Sequence, residues 1–409
     1  MDPLAYVFSL EQFGIKFGLD SIRALLARLG NPDQTYRCIH IAGTNGKGSV
    51  TAMVDAVLRR AGHRSARYTS PHLVDLSERF VVDGRPVSAD DMRRSAADVR
   101  NVIETMLADG TLQARPTFFE ATTAMAFDLF RNARVEFGVI EVGLGGRLDS
   151  TNVVDPVVTA ITSIDFDHQQ YLGDTLAAIA AEKAGIIKDS VPVVVGDVGP
   201  EAYDVIARVA RERRAELIRS SESGRDYGPL RLGLRGEHQI ANANVALRVL
   251  ETLERGGVPI GSEAIRDGLE HVTWPGRLDH RRLADGHEVV LDAAHNPAGA
   301  RALASYVRSL GGARPTLVFG AMRDKDIDGM LAVLLPEVAR VVVTKPSNPR
   351  SADPEELASR IRRIAPSLDV RVVASPHAAV AAATRSSPLT VVAGSIFLLG
   401  DVMHEIGTW

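Results

Sequence analysis

Short runs of β-branched and aliphatic residues alternate with longer amphipathic segments along most of the chain. Strands are predicted at Tyr36–Ala42, Phe137–Val142, Val157–Ile161, Val191–Val195, Val289–Leu291, Thr316–Phe319, Arg340–Thr344, Val370–Val373 and Leu389–Val392. Helices are predicted between them, for example at Ser49–Ala61, Glu120–Arg131, Leu176–Ile187 and Ala241–Glu254. Because the strand runs are continuously apolar, we expect strands covered on both faces, as in a mainly parallel sheet. The pattern predicts an α/β protein built from strand–helix–strand units.

Proline and glycine interrupt this pattern at Trp274-Pro275-Gly276-Arg277. About five further strand–helix alternations follow, which is enough for an independent small α/β domain. We therefore predict two domains, residues 1–275 and residues 276–409.

The composition is that of a globular protein, with 45% hydrophobic and 24% charged residues among 409. The formal net charge of −4 gives no global attraction for nucleic acid or anionic lipid. An aromatic content of 5% argues against a stacking surface for single-stranded nucleic acid. We expect no nucleic-acid partner and no membrane partner.

No apolar stretch reaches the roughly 18 to 20 residues that span a bilayer. The segment Met1-Asp2-Pro3-Leu4 lacks the basic-then-apolar pattern of a signal peptide. We expect a cytoplasmic protein. The single cysteine, Cys38, cannot form an intramolecular disulfide and lies in an apolar run, so we expect a buried thiol.

The strongest chemical signal is the segment Gly43-Thr44-Asn45-Gly46-Lys47-Gly48-Ser49, between a predicted strand and a predicted helix. Glycines let successive N–H groups point at one anion, and the helix N-terminus adds its positive end. We expect Lys47 to face solvent and to reach the outer phosphates of a nucleotide, and the Ser49 hydroxyl to ligate Mg²⁺. Gly48 separates the lysine from the hydroxyl, which departs from the general phosphate-loop pattern. A plain glycine-rich turn is the alternative.

Glu141 closes an apolar strand run and precedes the glycine-rich segment Gly143-Leu144-Gly145-Gly146-Arg147. A carboxylate at the C-terminal end of a parallel strand faces the ligand crevice, so Glu141 is a candidate metal ligand beside the phosphate loop. A dinucleotide-binding loop is disfavoured because the third glycine of its pattern is missing. A purely structural turn is the other alternative.

Two further segments carry charged residues close to predicted strands and helices. The carboxylates and imidazole of Asp165-Phe166-Asp167-His168 suit a divalent metal, although Mg²⁺ prefers oxygen ligands and a capped loop is the alternative. Lys183 closes a helical run. Spacing alone favours a solvated lysine there, which complements the helix dipole.

A later group of polar residues offers an arginine for phosphate, a carboxylate for ribose hydroxyls and polar groups for a base. Asn242 lies near a helix start, where Asn commonly caps. Arg277 lies at the domain junction, and Asp292 and His295 follow the first strand of the second domain. Each of these residues has a structural alternative.

Taken together, these motifs resemble the folylpolyglutamate synthase/dihydrofolate synthase family, a branch of the Mur ligases. Their order and spacing match over nearly the whole chain. The matching stretches are His40–Ser49, Ser70-Pro71-His72-Leu73, Phe118–Thr122, Glu141–Asn152, Asp167–Gly173, Glu182–Ile187, His238–Leu247, Pro275–Asp279, Asp292–Pro297 and Gly320–Asp326.

The resemblance implies a P-loop-containing, Mur-ligase-like central domain with a folate site in residues 1–275, and a smaller Rossmann-like α/β domain in residues 276–409. ATP would bind between them. Ser49 and Glu141 would hold one Mg²⁺ and His168 a second, and Lys183 would be carbamylated. The implied catalytic residues are Lys47, Lys183 and His168, and the implied nucleotide contacts outside the loop are Asn242, Arg277, Asp292 and His295. The implied contacts to the pteroate or folate are Gly18, Leu19, Asp20, Ser70, Pro71, His72, Thr117, Phe118, Phe119 and Glu120.

The implied activity is ATP-dependent addition of L-glutamate to dihydropteroate and to the glutamyl tail of reduced folates through an acyl phosphate, by a monomer. One alternative is a polyglutamate synthase only. Another is a related ligase for a cell-wall nucleotide precursor, against which the segment Phe118–Thr122 and the short region before the phosphate loop argue. A third is a nucleotide-dependent switch, which would not need Glu141 and His168. For Asp20, the alternative is a cap on a helix that starts at Ser21.

Overall fold

The computed structural model describes residues 2–14, 16–222, 224–283, 286–385 and 387–406. The chain forms two compact units. The first unit contains the chain up to Asp165, with Gln169–Leu232 and Ala241–Val272. The second contains Phe166–His168, Gly233–Ile240 and the chain from Thr273 onward. Two short segments from the range 1–275 therefore pack with the second unit.

A mostly parallel sheet forms the centre of the first unit. Its strands are β1 Arg37–Ala42, β2 Ser65–Tyr68, β3 Phe80–Val82, β4 Arg85–Pro86, β5 Phe137–Glu141, β6 Pro156–Ile161, β7 Val193–Val195 and β8 Leu217–Arg219. Within the described residues these strands lie in the order β4-β3-β2-β5-β1-β6-β7-β8, and β3 pairs antiparallel with both neighbours. Every residue of β5 is buried, and so are all but the first of β1. Both central strands are covered on both faces, as the sequence predicts.

Helices cover this sheet. They are α1 Pro3–Ser9, α2 Asp20–Arg28, α3 Lys47–Arg60, α4 Ala89–Ala108, α5 Phe118–Asn132, α6 Gln169–Leu172, α7 Leu176–Ala184, α8 Pro200–Glu212, α9 His238–Arg255 and α10 Ser262–His271. In α4, the residues Met92, Ala96, Val99 and Ile103 are buried at the three-to-four-residue spacing of one helix face. They join the buried side of α5 in one hydrophobic core.

The second unit is a smaller α/β layer structure of the Rossmann-like type. Its strands are β9 Asp279–Arg282, β10 Glu288–Leu291, β11 Thr316–Phe319, β12 Arg340–Val343, β13 Asp369–Val372 and β14 Leu389–Ala393. They lie in the order β13-β12-β11-β14-β10-β9, with β9 antiparallel at one edge. Its helices are α11 Pro297–Leu310, α12 Ile327–Leu334, α13 Pro354–Ile364, α14 Pro376–Thr384 and α15 Ile396–Ile406.

The predicted α/β class is confirmed, and the predicted strands are present with ends shifted by at most two residues. The thiol of Cys38 is buried in β1, as predicted, and this burial raises its pKa. Among the described residues, no helix has the length and apolar character needed to cross a membrane.

Candidate active site

The glycine-rich loop between β1 and α3 takes a shape that requires glycine at two positions. Gly43 has a φ of 151° and Gly46 a φ of 86°. A Cβ on Gly43 would overlap with the side chain of Thr162, and one on Gly46 would overlap with the amide of Asn242. The loop backbone therefore runs directly against two neighbouring elements, in a conformation that glycine adopts without strain.

Hydrogen bonds fix this loop to the segment that follows β6. The Thr44 N–H donates to Ser163 O at 2.8 Å, and the Asn45 N–H donates to Ser163 Oγ at 2.9 Å. The Thr162 hydroxyl donates to Asn45 O at 2.6 Å. Gly46 occupies the cap position of α3 and has no side chain to serve the first N–H groups. The positive end of α3 therefore suits an anion such as phosphate.

Lys47 is the first residue of α3, and its side chain folds over the loop. Its Nζ donates to Gly43 O at 3.0 Å and to Thr44 O at 3.3 Å. The residue is only partly exposed. The expectation that Lys47 faces solvent is therefore wrong, because the loop carbonyls turn toward the ammonium group. This geometry keeps a positive charge at the loop.

Glu141 ends β5 beside the loop. In the parallel pairing of β5 with β1 it lies opposite Ile41, two residues before Gly43. Glu141 is buried, and its Oε2 accepts a hydrogen bond from the Ser70 N–H at 3.2 Å. Ser49, in the first turn of α3, is buried as well.

These two oxygen donors fit a magnesium ion. Carboxylate and hydroxyl oxygens are the ligands that Mg²⁺ prefers, and it is usually held by one or two protein groups together with waters and substrate phosphates. In the part of the chain that the structure describes, no three His, Cys, Asp or Glu side chains form a metal-binding cluster. A magnesium ion shared with a nucleotide needs no such cluster.

Lys183 is buried beside the phosphate loop. It lies in the last turn of α7, is 4% exposed, and its Nζ donates to Gly43 O at 2.9 Å. The alternative of a solvated helix-end lysine is wrong. A buried ammonium group requires a polar partner, and the Gly43 carbonyl oxygen supplies one.

The segment Asp165–His168 does not act as one cluster. Asp165 belongs to the first unit, where its carbonyl accepts from the Thr44 hydroxyl at 3.1 Å. Asp167 and His168 belong to the second unit. The Asp167 carboxylate accepts from Lys325 Nζ at 2.5 Å and from Asn296 Nδ2 at 3.2 Å.

Asp167 is therefore an anion held by its neighbours. Burial by itself would raise its pKa, but the hydrogen bond and charge of His295, with the charge of Lys325, hold the pKa well below its usual range. His168 adopts a φ of 51°, and its Nε2 lies 3.5 Å from Lys325 Nζ. A metal-binding role for His168 stays a prediction.

Three of the predicted nucleotide contacts belong to the second unit. Asp292 is buried and accepts from the N–H groups of Leu278 and Ala294 at 2.9 and 3.0 Å. Burial raises its pKa, against the opposing charge of Arg277. The Nδ1 of His295 lies 2.8 Å from Ala293 O. The fourth, Asn242, lies in the first unit against Gly46.

The predicted substrate residues at the start of α5 have structural partners. The Thr117 N–H donates to Glu120 Oε2 at 2.7 Å, and the Glu120 N–H donates to Thr117 Oγ1 at 3.1 Å. Both residues are buried and form a capping box. The ring of Phe118 stacks on that of Phe8, with 5.8 Å between the ring centres, and the ring of Phe119 stacks on that of Tyr68, with 6.1 Å between the centres. Substrate contact stays a prediction for all four.

Arg79 lies among the predicted substrate residues, and the sequence prediction missed it. Its Nε donates to His72 Nδ1 at 2.9 Å, and its guanidinium lies 5.2 Å from the centre of the Phe118 ring. Burial, together with the charge of Arg79, lowers the pKa of His72 to about 4. The Ser70–Pro71 peptide bond just before His72 is cis.

The N-terminal segment of the predicted substrate site leads into α2. The helix begins at Asp20 itself, Leu19 occupies the cap position, and no side-chain cap is present there. The alternative in which Asp20 caps a helix from Ser21 is wrong. Asp20 is exposed in the first turn, and Gly18 adopts a φ of 133°.

Comparison with known proteins first defines the class. Residues 276–396 match the family model described as "Mur ligase, glutamate ligase domain". This match and the glycine-rich loop Gly43–Ser49 of the first unit identify the chain as an ATP-dependent ligase of the Mur type.

Curated relatives then define the family. The chain is 34% identical over 436 residues to the dihydrofolate synthase/folylpolyglutamate synthase of Bacillus subtilis, with 99% of this chain and 98% of the relative covered. It is 40% identical over 379 residues to the Mycobacterium tuberculosis protein of the same name, with 83% and 76% covered. The chain belongs to the dihydrofolate synthase/folylpolyglutamate synthase family.

Solved structures share the whole fold. The M. tuberculosis folylpolyglutamate synthase complexed with ADP has a TM-score of 0.92 at 34% identity, with 100% of both chains covered. Escherichia coli FolC in complex with DHPP and ADP has a TM-score of 0.87 at 31% identity, with 99% and 98% covered. A bifunctional folylpolyglutamate synthase/dihydrofolate synthase with Mn, AMPPNP and L-glutamate bound has a TM-score of 0.86 at 31% identity, with the same coverage.

Proposed function

We propose that this chain joins L-glutamate, through an amide bond, to dihydropteroate and to the glutamyl tail of reduced folates, with ATP converted to ADP and phosphate. The observation that carries the proposal is the loop Gly43–Ser49 with Lys47, Lys183 and Glu141 around it. Support comes from family relatives whose structures hold ADP, DHPP or L-glutamate.

The chemistry answers a problem of reactivity. A carboxylate resists attack by an amine because its leaving group would be oxide. Transfer of the γ-phosphoryl group of ATP to the carboxylate gives an acyl phosphate, whose leaving group is phosphate. The amino group of glutamate then attacks the acyl carbon, and the tetrahedral intermediate collapses to an amide. No protein nucleophile is required.

The first transfer brings two anions together, so the site must supply positive charge. Lys47, already held at the loop, would contact the outer phosphates, and the N-terminus of α3 would bind them through N–H groups. Ser49 and Glu141 would hold Mg²⁺, which when bound neutralises phosphate charge. We propose His168 for a second ion. We further propose that Lys183 is carbamylated, which would turn its cation into an anionic oxygen ligand.

The remaining contacts are also proposals. We assign Asn242, Arg277, Asp292 and His295 to the nucleotide. We assign Gly18-Leu19-Asp20, Ser70-Pro71-His72 and Thr117–Glu120 to the pterin substrate. The neutral imidazole of His72 and the faces of Phe118 and Phe119 suit a flat, hydrogen-bonding ring system. We also propose that the enzyme is a monomer.

Mass spectrometry of the products tests this function. The chain is incubated with ATP, Mg²⁺ and L-glutamate, and with either dihydropteroate or tetrahydrofolate. We expect one added glutamyl residue on dihydropteroate and one or more on the folate. ADP should form only when L-glutamate and the pterin substrate are both present.

The alternatives give different products. Product from the folate alone would restrict the chain to polyglutamate synthesis. Product only with a UDP-sugar acceptor would indicate another Mur-type amino-acid ligase. ATP hydrolysis that ignores glutamate and pterin would contradict ligase activity altogether. The Lys47→Ala variant controls for contaminating ligases.

A further inference from the structure

A short 3₁₀ turn, Ser150–Val153, joins three elements of the first unit. Its Thr151 contacts β1, the strand that leads into the phosphate-binding loop. The next residue, Asn152, contacts both the loop that follows Glu141 and the end of α7. Neither residue was predicted as part of the site.

On one side, a chain of hydrogen bonds fixes the turn to β1. The Thr151 hydroxyl donates to Asp149 Oδ1 at 2.5 Å, and its oxygen lies 2.9 Å from His40 Nε2. Because the only hydroxyl proton goes to Asp149, His40 donates from Nε2. Burial lowers the pKa of His40 to about 3, so the imidazole is neutral. The turn is therefore fixed to β1 at His40, three residues before Gly43.

On the other side, Asn152 bridges two backbones. Its Nδ2 donates to Arg147 O and to Gly185 O, both at 3.0 Å. Two carbonyl acceptors require the NH₂ end of the amide, so the orientation of the side chain is set. Asn152 is buried, and in the described structure its Oδ1 has no hydrogen-bond partner. A buried oxygen without a hydrogen-bond partner lowers the stability of the fold. The stabilising contribution of the Asn152 side chain therefore comes from the two hydrogen bonds that its Nδ2 donates.

The two bridged backbones are in direct contact. A Cβ on Gly146 would lie 2.9 Å from Glu182 O and 3.0 Å from Lys183 O. A Cβ on Gly185 would overlap with Arg147. The Arg147 N–H also donates to Glu182 O at 2.8 Å. The loop after Glu141 and the last turn of α7 are thus packed as one body, which carries Lys183.

We propose that Asn152 is a positioning residue that holds Lys183 against the phosphate-binding loop by joining the loop after Glu141 to the end of α7. Asn152 acts through Lys183 and touches no reactant. The role of Lys183 in turnover rests on the proposed function. The placement of the Lys183 side chain does not, because it can be measured without substrate.

The first test measures acylation of lysine amines in Asn152→Ala and in the unchanged protein by peptide mass spectrometry, in CO₂-free buffer so that Lys183 is a free amine in both. Exposed Lys16 is the internal reference. We expect the ratio of Lys183 to Lys16 labelling to rise about tenfold or more, because the end of α7 opens locally. Ser95→Ala is the matched control: it removes a buried hydroxyl that donates to Asp128 at 2.9 Å in α5. This control should leave the ratio unchanged, and an equal ratio in Asn152→Ala overturns the proposal.

Kinetics provide the second test. We expect Asn152→Ala to lower kcat about tenfold or more, with KM for ATP changed less than about twofold, because Lys183 is displaced while the loop N–H groups are retained. Asn152→Ser keeps one hydrogen-bond donor, so we expect its labelling ratio and its kcat to lie between those of the alanine variant and the unchanged protein. The serine variant replaces the alanine variant in both tests if the alanine variant does not fold. A raised labelling ratio with unchanged kcat also overturns the proposal. Absence of any amide product from the unchanged protein would instead contradict the proposed function and leave the labelling result valid.

Discussion

Lys47 and Lys183 donate to one acceptor, the carbonyl oxygen of Gly43, at 3.0 and 2.9 Å. Two ammonium groups on one oxygen repel each other, and this repulsion is strong where burial lowers the dielectric screening. Either an anion at the loop or conversion of Lys183 to a carbamate would relieve it. The pair therefore favours both the binding of phosphate and the proposed modification of Lys183.

Lys47→Ala should abolish turnover while leaving the fold intact. Loss of a charge contact in phosphoryl transfer should lower the rate by about a thousandfold or more. The measurement is ADP formation with glutamate and each pterin substrate, with the melting temperature as the check on folding. Lys16→Ala, at an exposed lysine, is the control. Near-normal amide formation in Lys47→Ala would show that the loop assignment is wrong.

Lys183→Ala should have low activity that a small carboxylate such as acetate partly restores. The reason is that the proposed carbamate acts as an anionic ligand, and acetate can supply that oxygen in the space left by the side chain. Lys183→Arg keeps the charge but cannot be carbamylated, so it should be no better than alanine. Initial rates over a range of acetate concentrations check this, and full activity of the arginine variant would exclude the carbamate.

His40 should make the stability of the protein depend on pH. Its pKa is lowered to about 3 in the folded protein because it is buried, against 6.5 in the unfolded chain. The unfolded chain therefore binds more protons between these values. The stabilising contribution of His40 is complete above about pH 6.5 and is lost as the pH falls toward about 3, on the order of a few kcal/mol in all.

Chemical denaturation at a series of pH values tests this dependence. His40→Gln keeps an N–H donor for Thr151 but does not titrate, so its free energy of unfolding should fall less steeply with acid. Parallel curves for the two proteins would show that His40 does not contribute to the slope.

Asp20 should matter more for dihydropteroate than for the folate tail. In the proposed function, dihydropteroate binds near Gly18-Leu19-Asp20. A folate places its growing carboxylate at the same ATP phosphates, but its pterin ring binds elsewhere. Asp20→Asn should lower kcat/KM for dihydropteroate more than for tetrahydrofolate. Since Asp20 makes no capping bond, the melting temperature should change little. Equal losses in both reactions would contradict a separate pterin seat.

Periodicity was sufficient to predict the central strands. The continuously apolar runs at β1 and β5 are buried on both faces, and their bounds moved by only one residue. The predicted strand set omitted β2, β3, β4, β8 and β9. These strands are only two to four residues long, and β4, β8 and β9 lie at sheet edges. Some of them carry exposed charged residues such as Arg85 and Arg282. Their pairing depends on neighbours that are set by tertiary packing, which a local pattern does not contain.

Residue type and spacing likewise predicted only part of the site. The phosphate loop, Ser49 and Glu141 follow local rules of strand, glycine turn and helix. The burial of Lys183 could not be predicted in that way, because it depends on the close contact of α7 with a loop that begins some forty residues earlier. Arg79 and Lys325 were missed for the same reason. Arg79 is identified by its contact with His72 across a turn, and Lys325 by its contact with Asp167, which is distant in the sequence.

The burial of Cys38 has a practical consequence for experiments on this protein. It is the only cysteine in the sequence, and its thiol is enclosed in β1 with a raised pKa. Thiolate is the reactive form, so maleimide reagents should leave the native chain unmodified. A single cysteine introduced on an exposed helix of either unit would then carry one dye or spin label without removal of a native residue. Paired labels of this kind would report the distance between the two units during turnover.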